Sequence, residues 1–248
     1  MPELPEAERA RRAIERVLGR RIVAVDDSDT YVSRPHAPGE IADAITGRRL
    51  TAAHRRGKFL WAETDGDGPE LGLHLGMAGR IAIDEPPHER WDRFVLEFED
   101  GSRLALRDRR RLGRAVIAPD FSHVGPDAAE VSREQFRDRI GRGSAPVKAR
   151  LLDQKAISGV GNLLADEILW QARIHPRRRT GDLSTAELDE LRRVTRRAIR
   201  NAIRRGGAHT GELIPHREPD GHCPRCGSPL ASGRIGGRMT YWCPREQV

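Results

Sequence analysis

Nowhere does this 248-residue chain stay apolar for anything near the roughly 18 residues that a membrane span requires, and its charged start, with Glu3, Glu6 and Glu8, is unlike a secretory leader. The two absences exclude a membrane-spanning or exported protein and lead to the expectation of a cytoplasmic, nucleoid-associated one. Cysteine is scarce as well, and three residues in a reducing compartment do not make a disulfide framework. No internal repeat is present, which excludes a solenoid. Lysine is the most informative shortage. Only Lys58, Lys148 and Lys155 stand among 44 basic residues. Arginine has replaced lysine wherever either cation serves, so the three that remain are chance survivors or mark sites that need a compact ammonium.

What is present suffices for a folded core. A hydrophobic content of 37% over this length supports one large or two modest domains. The net charge is +7 and the pI about 10.1. Six arginines fall within residues 103–114 and seven within 192–205. Each run taken singly is a solvated face or a phosphate-binding one; two in one basic chain favour a polyanion as partner.

Apolar positions at helical spacing predict an opening helix over 6–18, stopped by Gly19. From 22 to about 118 the pattern becomes short alternating runs, with Asp100-Gly101 as a hairpin turn, the signature of a β-sandwich or barrel. After a break at Gly125-Pro126-Asp127 the spacing predicts helices over 132–140, 147–152, 163–172 and 184–205. Asn162 caps the third, Ser184 or Thr185 the last, and Gly206-Gly207 ends it. The fold class expected is α+β multidomain, divided at 1–124, 125–207 and 208–248.

Four places carry chemistry. Behind the initiator Met, Pro2 becomes a secondary amine once Met1 is removed; an α-amino group titrates at about 7.7–8.0, so part of it is nucleophilic at neutral pH. Glu3 and Glu6 share a helical face beside it, offering carboxyls to move protons and hold the amine. The same residues also make an ordinary helix start. Second, Gln154 to Asn162 is a glycine-bearing turn in which the free N–H groups at the Asn162 helix end suit a phosphate, or it is simply a turn. Third, Cys223-Pro-Arg-Cys226, sixteen residues and Cys243-Pro-Arg-Glu246 resemble a zinc ribbon in which Glu246 holds the fourth cysteine's place. His222 and His216 are within reach too, and a metal-free hairpin is the alternative. Fourth, Met77 between two glycines and Leu112 beside Arg110 are apolar wedges for a stack that has lost a base, or core filler.

Together these motifs resemble, across essentially the whole chain, the formamidopyrimidine-DNA glycosylase and endonuclease VIII family of bifunctional base-excision repair enzymes. Pro2 to Glu6 resembles its N-terminal active-site motif, Arg56-Gly57-Lys58-Phe59 its lysine turn, Ile157 to Asn162 its helix-two-turn-helix segment, and the tail its zinc finger. The resemblance implies that Pro2 is the nucleophile and forms a Schiff base with deoxyribose, that Glu3 gives and takes the proton, and that Glu6 supports them. It implies that Lys58, Lys148, Asn162 and Arg238 contact phosphate, and that Met77, Arg110 and Leu112 fill the gap left by a flipped nucleotide. One structural zinc is implied at Cys223, Cys226, Cys243 and Glu246. Lys155 receives no role.

Three departures shape the expected specificity. Leu112 replaces the phenylalanine common in the purine-specific branch, only fifteen residues separate Gly207 from Cys223, and Glu246 replaces a cysteine. The expectation is therefore a monomeric DNA glycosylase and AP lyase, with damaged DNA in a basic cleft, acting on oxidised pyrimidines, ring-opened purines or abasic sites rather than on 8-oxoguanine. The rivals are an inactive DNA-binding paralogue and an RNA-binding zinc-ribbon protein. Intact Pro2, Glu3 and Lys58 oppose the first, and neither Pro2 nor Glu3 has a reason in the second.

Overall fold

Alternation of apolar and polar residues builds two sheets early in the chain. The structure, a computed structural model, describes residues 2–248 in two units, Glu6–Ser122 with Pro2, and His123–Val248 with Glu3–Pro5. Met1, whose removal the expected role of Pro2 requires, lies outside the described residues. The first unit contains most of α1 (Leu4–Glu15), then β1 (Ile22–Asp26), α2 (Thr30–Ser33), α3 (Glu40–Ile45), β2 (Leu50–Arg56), β3 (Phe59–Thr64), β4 (Leu71–His74), β5 (Arg80–Ile83), β6 (Asp92–Phe98), β7 (Arg103–Arg107) and β8 (Arg114–Ile117). Two antiparallel sheets, ordered β1-β6-β7-β5 and β2-β3-β4-β8, share one core with α1. β3 shows how the pattern works: Leu60 and Ala62 are sealed inside, while Phe59 and Trp61 lie on the half-open face. Each fully buried aliphatic side chain contributes about 1.5–3 kcal/mol.

The expected sandwich and its Asp100-Gly101 turn are present, the latter with Gly101 at φ +80°. The leading helix starts earlier than its spacing suggests, at Leu4, because Pro5 is tolerated in a first turn. It ends at Glu15 in tighter turns, with Val17 N donating to Ile14 O. Two short helices escaped the sequence pattern. Asp29 caps α2, and the Asp27 carboxylate takes the amides of Gly39, Ile41 and Ala42 at the start of α3.

The second unit holds α4 (Arg133–Ile140), α5 (Val147–Leu152), α6 (Asn162–Ala172) and α7 (Thr185–Arg205), followed by the hairpin β9 (Ala231–Ile235) and β10 (Arg238–Trp242). Capping boxes Ser132/Gln135 and Ser184/Glu187 open α4 and α7. Gly206 closes α7 in the left-handed conformation, φ +106°. The apolar faces of the four helices meet in a core that also takes in Leu4. Among the described residues no helix is long and apolar enough to cross a membrane.

Candidate functional site

The first helical turn of α6 is stoppered by an acid from the other end of the chain. Glu3, 1% exposed, accepts hydrogen bonds from the amides of Gly161 (2.9 Å), Leu163 (2.8 Å) and Leu164 (3.1 Å). These are the N–H groups that a helix start leaves unpaired, and the positive end of the dipole suits the carboxylate. The expectation that Asn162 caps α6 and that these amides await a phosphate is corrected: Gly161 is the cap position, and the anion bound there is Glu3. Gly161 has an ordinary φ of −118°, but a Cβ on it would come within 2.3 Å of the Glu3 carboxyl carbon. Pro2, half-buried, directly precedes this fixed side chain.

Asn162 is committed elsewhere. Its Oδ1 accepts from Lys148 Nζ at 2.7 Å, and its Nδ2 donates to Met239 O at 3.1 Å. Lys148 is fully buried. Its ammonium also donates to Thr240 Oγ1 at 2.7 Å and pairs with Asp166 at 2.6 Å. Burial pushes it below the ordinary lysine value, against the opposing charge of Asp166. The other Asp166 oxygen accepts from Arg217 Nε (2.7 Å) and Tyr241 N (3.2 Å). No surface of Lys148 is exposed in this structure, where it ties α5 and α6 to β10. Sequence spacing missed Asp166 and Arg217; a lone acid pair in the apolar run of α6 was the available signal. Arg238 is exposed at the start of β10.

In the first unit Lys58 follows Gly57 (φ +61°) in the β2–β3 turn. Burial, with the Lys58 charge added, lowers the His74 pKa, and its Nδ1 accepts from Gly76 N at 3.1 Å. Glu6 lines a pocket of about 320 Å³ together with Arg9, Leu75, Gly79 and Arg80. Two turns meet nearby in sequence register. Gly76 (φ +59°) packs so tightly on the Leu112–Gly113 backbone that a Cβ would sit 2.4 Å from the Leu112 carbonyl. Met77, 37% exposed, projects from this turn. The opposing turn is ordered by Asp108, fully buried, whose carboxylate takes the amides of Arg110 (2.9 Å), Leu112 (2.8 Å) and Gly113 (2.8 Å). Arg111 locks it from outside through a bidentate pair with Asp29. Met77, Arg110 and Leu112 are thus brought to one braced edge; Asp108, which does the bracing, went unnoticed in the sequence.

At the tail, the sulfurs of Cys223, Cys226 and Cys243 lie within 4.8 Å of one another, Cys226 and Cys243 at 3.5 Å. A tetrahedral zinc with bonds of about 2.3 Å demands sulfur separations of about 3.8 Å, so the trio fits one ion. The Ser228 hydroxyl and amide draw the Cys226 thiol down to about 7, while burial pushes Cys243 up to about 11. Glu246 does not complete the set. Its Oε2 faces Arg225 (3.3 Å) and Arg173 (3.5 Å), because two guanidinium groups compete for it. His222 is exposed. Trp170 Nε1 donates to Cys223 Sγ at 3.3 Å, and Gln247, also missed, bonds Cys243 N and Ile174 O.

Comparison with known proteins places this geometry. Residues 1–115 match the model of the formamidopyrimidine-DNA glycosylase N-terminal domain, and 124–212 that of the formamidopyrimidine-DNA glycosylase H2TH domain. The chain is 34% identical to a formamidopyrimidine-DNA glycosylase of Rhodococcus jostii, covering 100% of this chain and 96% of that one. It is 36% identical to one of a Nocardioides species, covering 98% and 93%. Solved structures of Lactococcus lactis Fpg superpose with TM-scores of 0.87, in complex with DNA containing an oxidized pyrimidine, and 0.86, with DNA containing an abasic site; identities are 27% and 26%, each covering 99% of both chains.

Proposed function

The chain belongs to the formamidopyrimidine-DNA glycosylase family of base-excision repair, and from that premise we propose that it excises a damaged base and nicks the strand through a Schiff base at Pro2. The Pro2 nitrogen bonds to C1′ as the bond from C1′ to the base breaks, and the base departs with a proton from solvent. The Glu3 carboxylate takes the N–H proton that Pro2 loses and hands it to the ring oxygen as the sugar opens, which gives the iminium. As a carboxylate again, Glu3 takes a C2′ proton, the resulting enamine expels the 3′ phosphate, and the strand is cut. One observation carries this: the carboxyl adjacent to the nucleophile is fixed by three backbone amides and has no freedom to drift. Glu6 and its pocket serve the extruded base, Lys58 a flanking phosphate, Asn162 and Arg238 the backbone, and Met77, Arg110 and Leu112 the vacated stack. Residues 1–124, 125–207 and 208–248 divide the work as catalytic, helix-two-turn-helix and finger segments.

The test is borohydride reduction with abasic DNA followed by mass spectrometry. An adduct on Pro2 is expected. An adduct mapped to Lys58 or Lys155, or none from protein proven to lack Met1, sinks the mechanism.

For the lesion, oxidised pyrimidines, ring-opened purines and abasic sites are favoured over 8-oxoguanine. The connector between Gly207 and Cys223 is short, and part of it is already spent: Leu213 is buried, with its amide on Glu167 at 2.9 Å. Little chain is left to enclose a flipped purine. A side-by-side excision panel in which 8-oxoguanine is fastest reverses this assignment. The finger holds one zinc by its three thiolates, and with Glu246 engaged by arginines the fourth corner falls to solvent.

A further inference from the structure

The second arginine run is not used by the chemistry above. α7 buries Leu188, Leu191, Val194, Thr195, Ala198, Ile199 and Ala202, which turns Arg192, Arg193, Arg196 and Arg200 to the outside as a stripe at helical spacing. With Arg133, at the start of α4, they line an open groove of about 590 Å³.

A solvated helix face normally interleaves acids among its bases. Here the two acids are already taken, Asp189 by Arg137 at 2.7 Å and Glu190 by Arg193 at 2.7 Å. Arg196 and Arg200 have no acidic partner among the described residues, and Arg196 Nε is buried without a hydrogen bond. Arg192 uses its Nε on Val131 O. Burial, and the charges of Arg196 and Arg133, push Arg192 below the ordinary arginine value. Like charges one turn apart cost stability unless an anion sits over them.

We propose that this groove is a second surface for duplex DNA, gripping one strand's phosphates while the site at Pro2 is occupied or empty. Guanidinium forks match phosphate oxygens. From Arg192 to Arg200 the helix rises about 12 Å, the axial span of three to four nucleotides of a strand. An acidic protein is disfavoured because the lining has no aromatic or large apolar anchor, which protein interfaces use. Single-stranded nucleic acid is disfavoured for the same reason, since it relies on stacking. A molecule with two such surfaces can pass directly from one duplex to another.

The experiment follows dissociation of a fluorescent, undamaged 24-base-pair duplex from the full-length protein while unlabelled duplex is raised. The wild-type rate is expected to climb at least fivefold with competitor. In R193Q/R196Q/R200Q it stays flat, the salt slope of affinity is shallower by about 2–3, and single-turnover cleavage of abasic DNA is within twofold of wild type. R193K/R196K/R200K restores transfer, which separates charge from folding. A wild-type rate independent of competitor overturns the proposal, as does a glutamine variant that transfers normally. Polyglutamate outcompeting duplex for the groove likewise overturns it in favour of an acidic protein. Because the duplex is undamaged, failure of the enzymatic reading leaves this result intact.

Discussion

Gly161 is a glycine because of Glu3: a side-chain carbon on the first would lie 2.3 Å from the carboxyl carbon of the second. No left-handed backbone is involved. Gly161→Ala removes no functional group, yet it must push the acid away from its three amides. Single-turnover cleavage of abasic DNA is expected to fall roughly 100-fold, as misplacement of a reacting group by about 1 Å does. DNA affinity by fluorescence anisotropy should change less than threefold; a parallel loss of binding would mean general damage instead.

Metal retention tests the incomplete finger. Glu246→Cys supplies the missing thiolate and should raise zinc affinity at least tenfold, with DNA binding rising alongside, while Cys243→Ser depresses both. Elemental analysis and chelator titration read the outcome. Freshly purified protein that contains no zinc and still cleaves abasic DNA would show that the hairpin folds without metal.

The buried ion pair should behave unlike a surface one. Lys148→Ala leaves the buried Asp166 with Arg217 as its remaining cation and one oxygen unpaired, and is expected to destabilise by about 1–3 kcal/mol, whereas Lys148→Met with Asp166→Asn together should cost less than the two single changes added. Urea unfolding measures this. Additive losses would mean the two residues do not act as a pair.

Glu8 gives a pH signature. Burial raises its pKa, but hydrogen bonds from Arg11, Arg12 and Arg55 outweigh that and hold it at about 2, against 4.5 unperturbed. A carboxylate with a depressed pKa stabilises the fold above its unfolded value and loses that contribution as pH falls through the folded one. Glu8→Gln should therefore cost about 2 kcal/mol at pH 7 after allowance for solvent screening, and the gap from wild type should close between pH 4.5 and 2. Thermal melts across that range decide, and a constant gap would discard the linkage.

Local signals made much of this fold legible. Ser132 and Ser184 announced helix starts, Asp100-Gly101 a hairpin, and alternating runs a sandwich, because each of these is decided within a few residues. What stayed hidden is decided across the chain. Nothing near Asn162 says that the amide of Leu163 is already taken by a residue 160 positions before it, and nothing near Lys148 says that Asn162, Asp166 and Thr240 converge on it. The short α2 and α3 were missed because four to six residues carry too little periodicity, and α3 is capped by Asp27 from a distance. The motif residues were found by type; their wiring was not.

The scarcity of lysine gives the sealed ammonium an analytical use. Lys155 is exposed and Lys58 half-buried, whereas Lys148 has no accessible surface while β10 lies over it. An amine-acylating reagent therefore sees two of the three side-chain amines as long as the hairpin is seated. The N-terminal amine adds one increment of its own, so a fourth appears only when the tail lifts, and counting acyl groups turns this chain's own composition into a gauge of whether its C-terminal hairpin is docked.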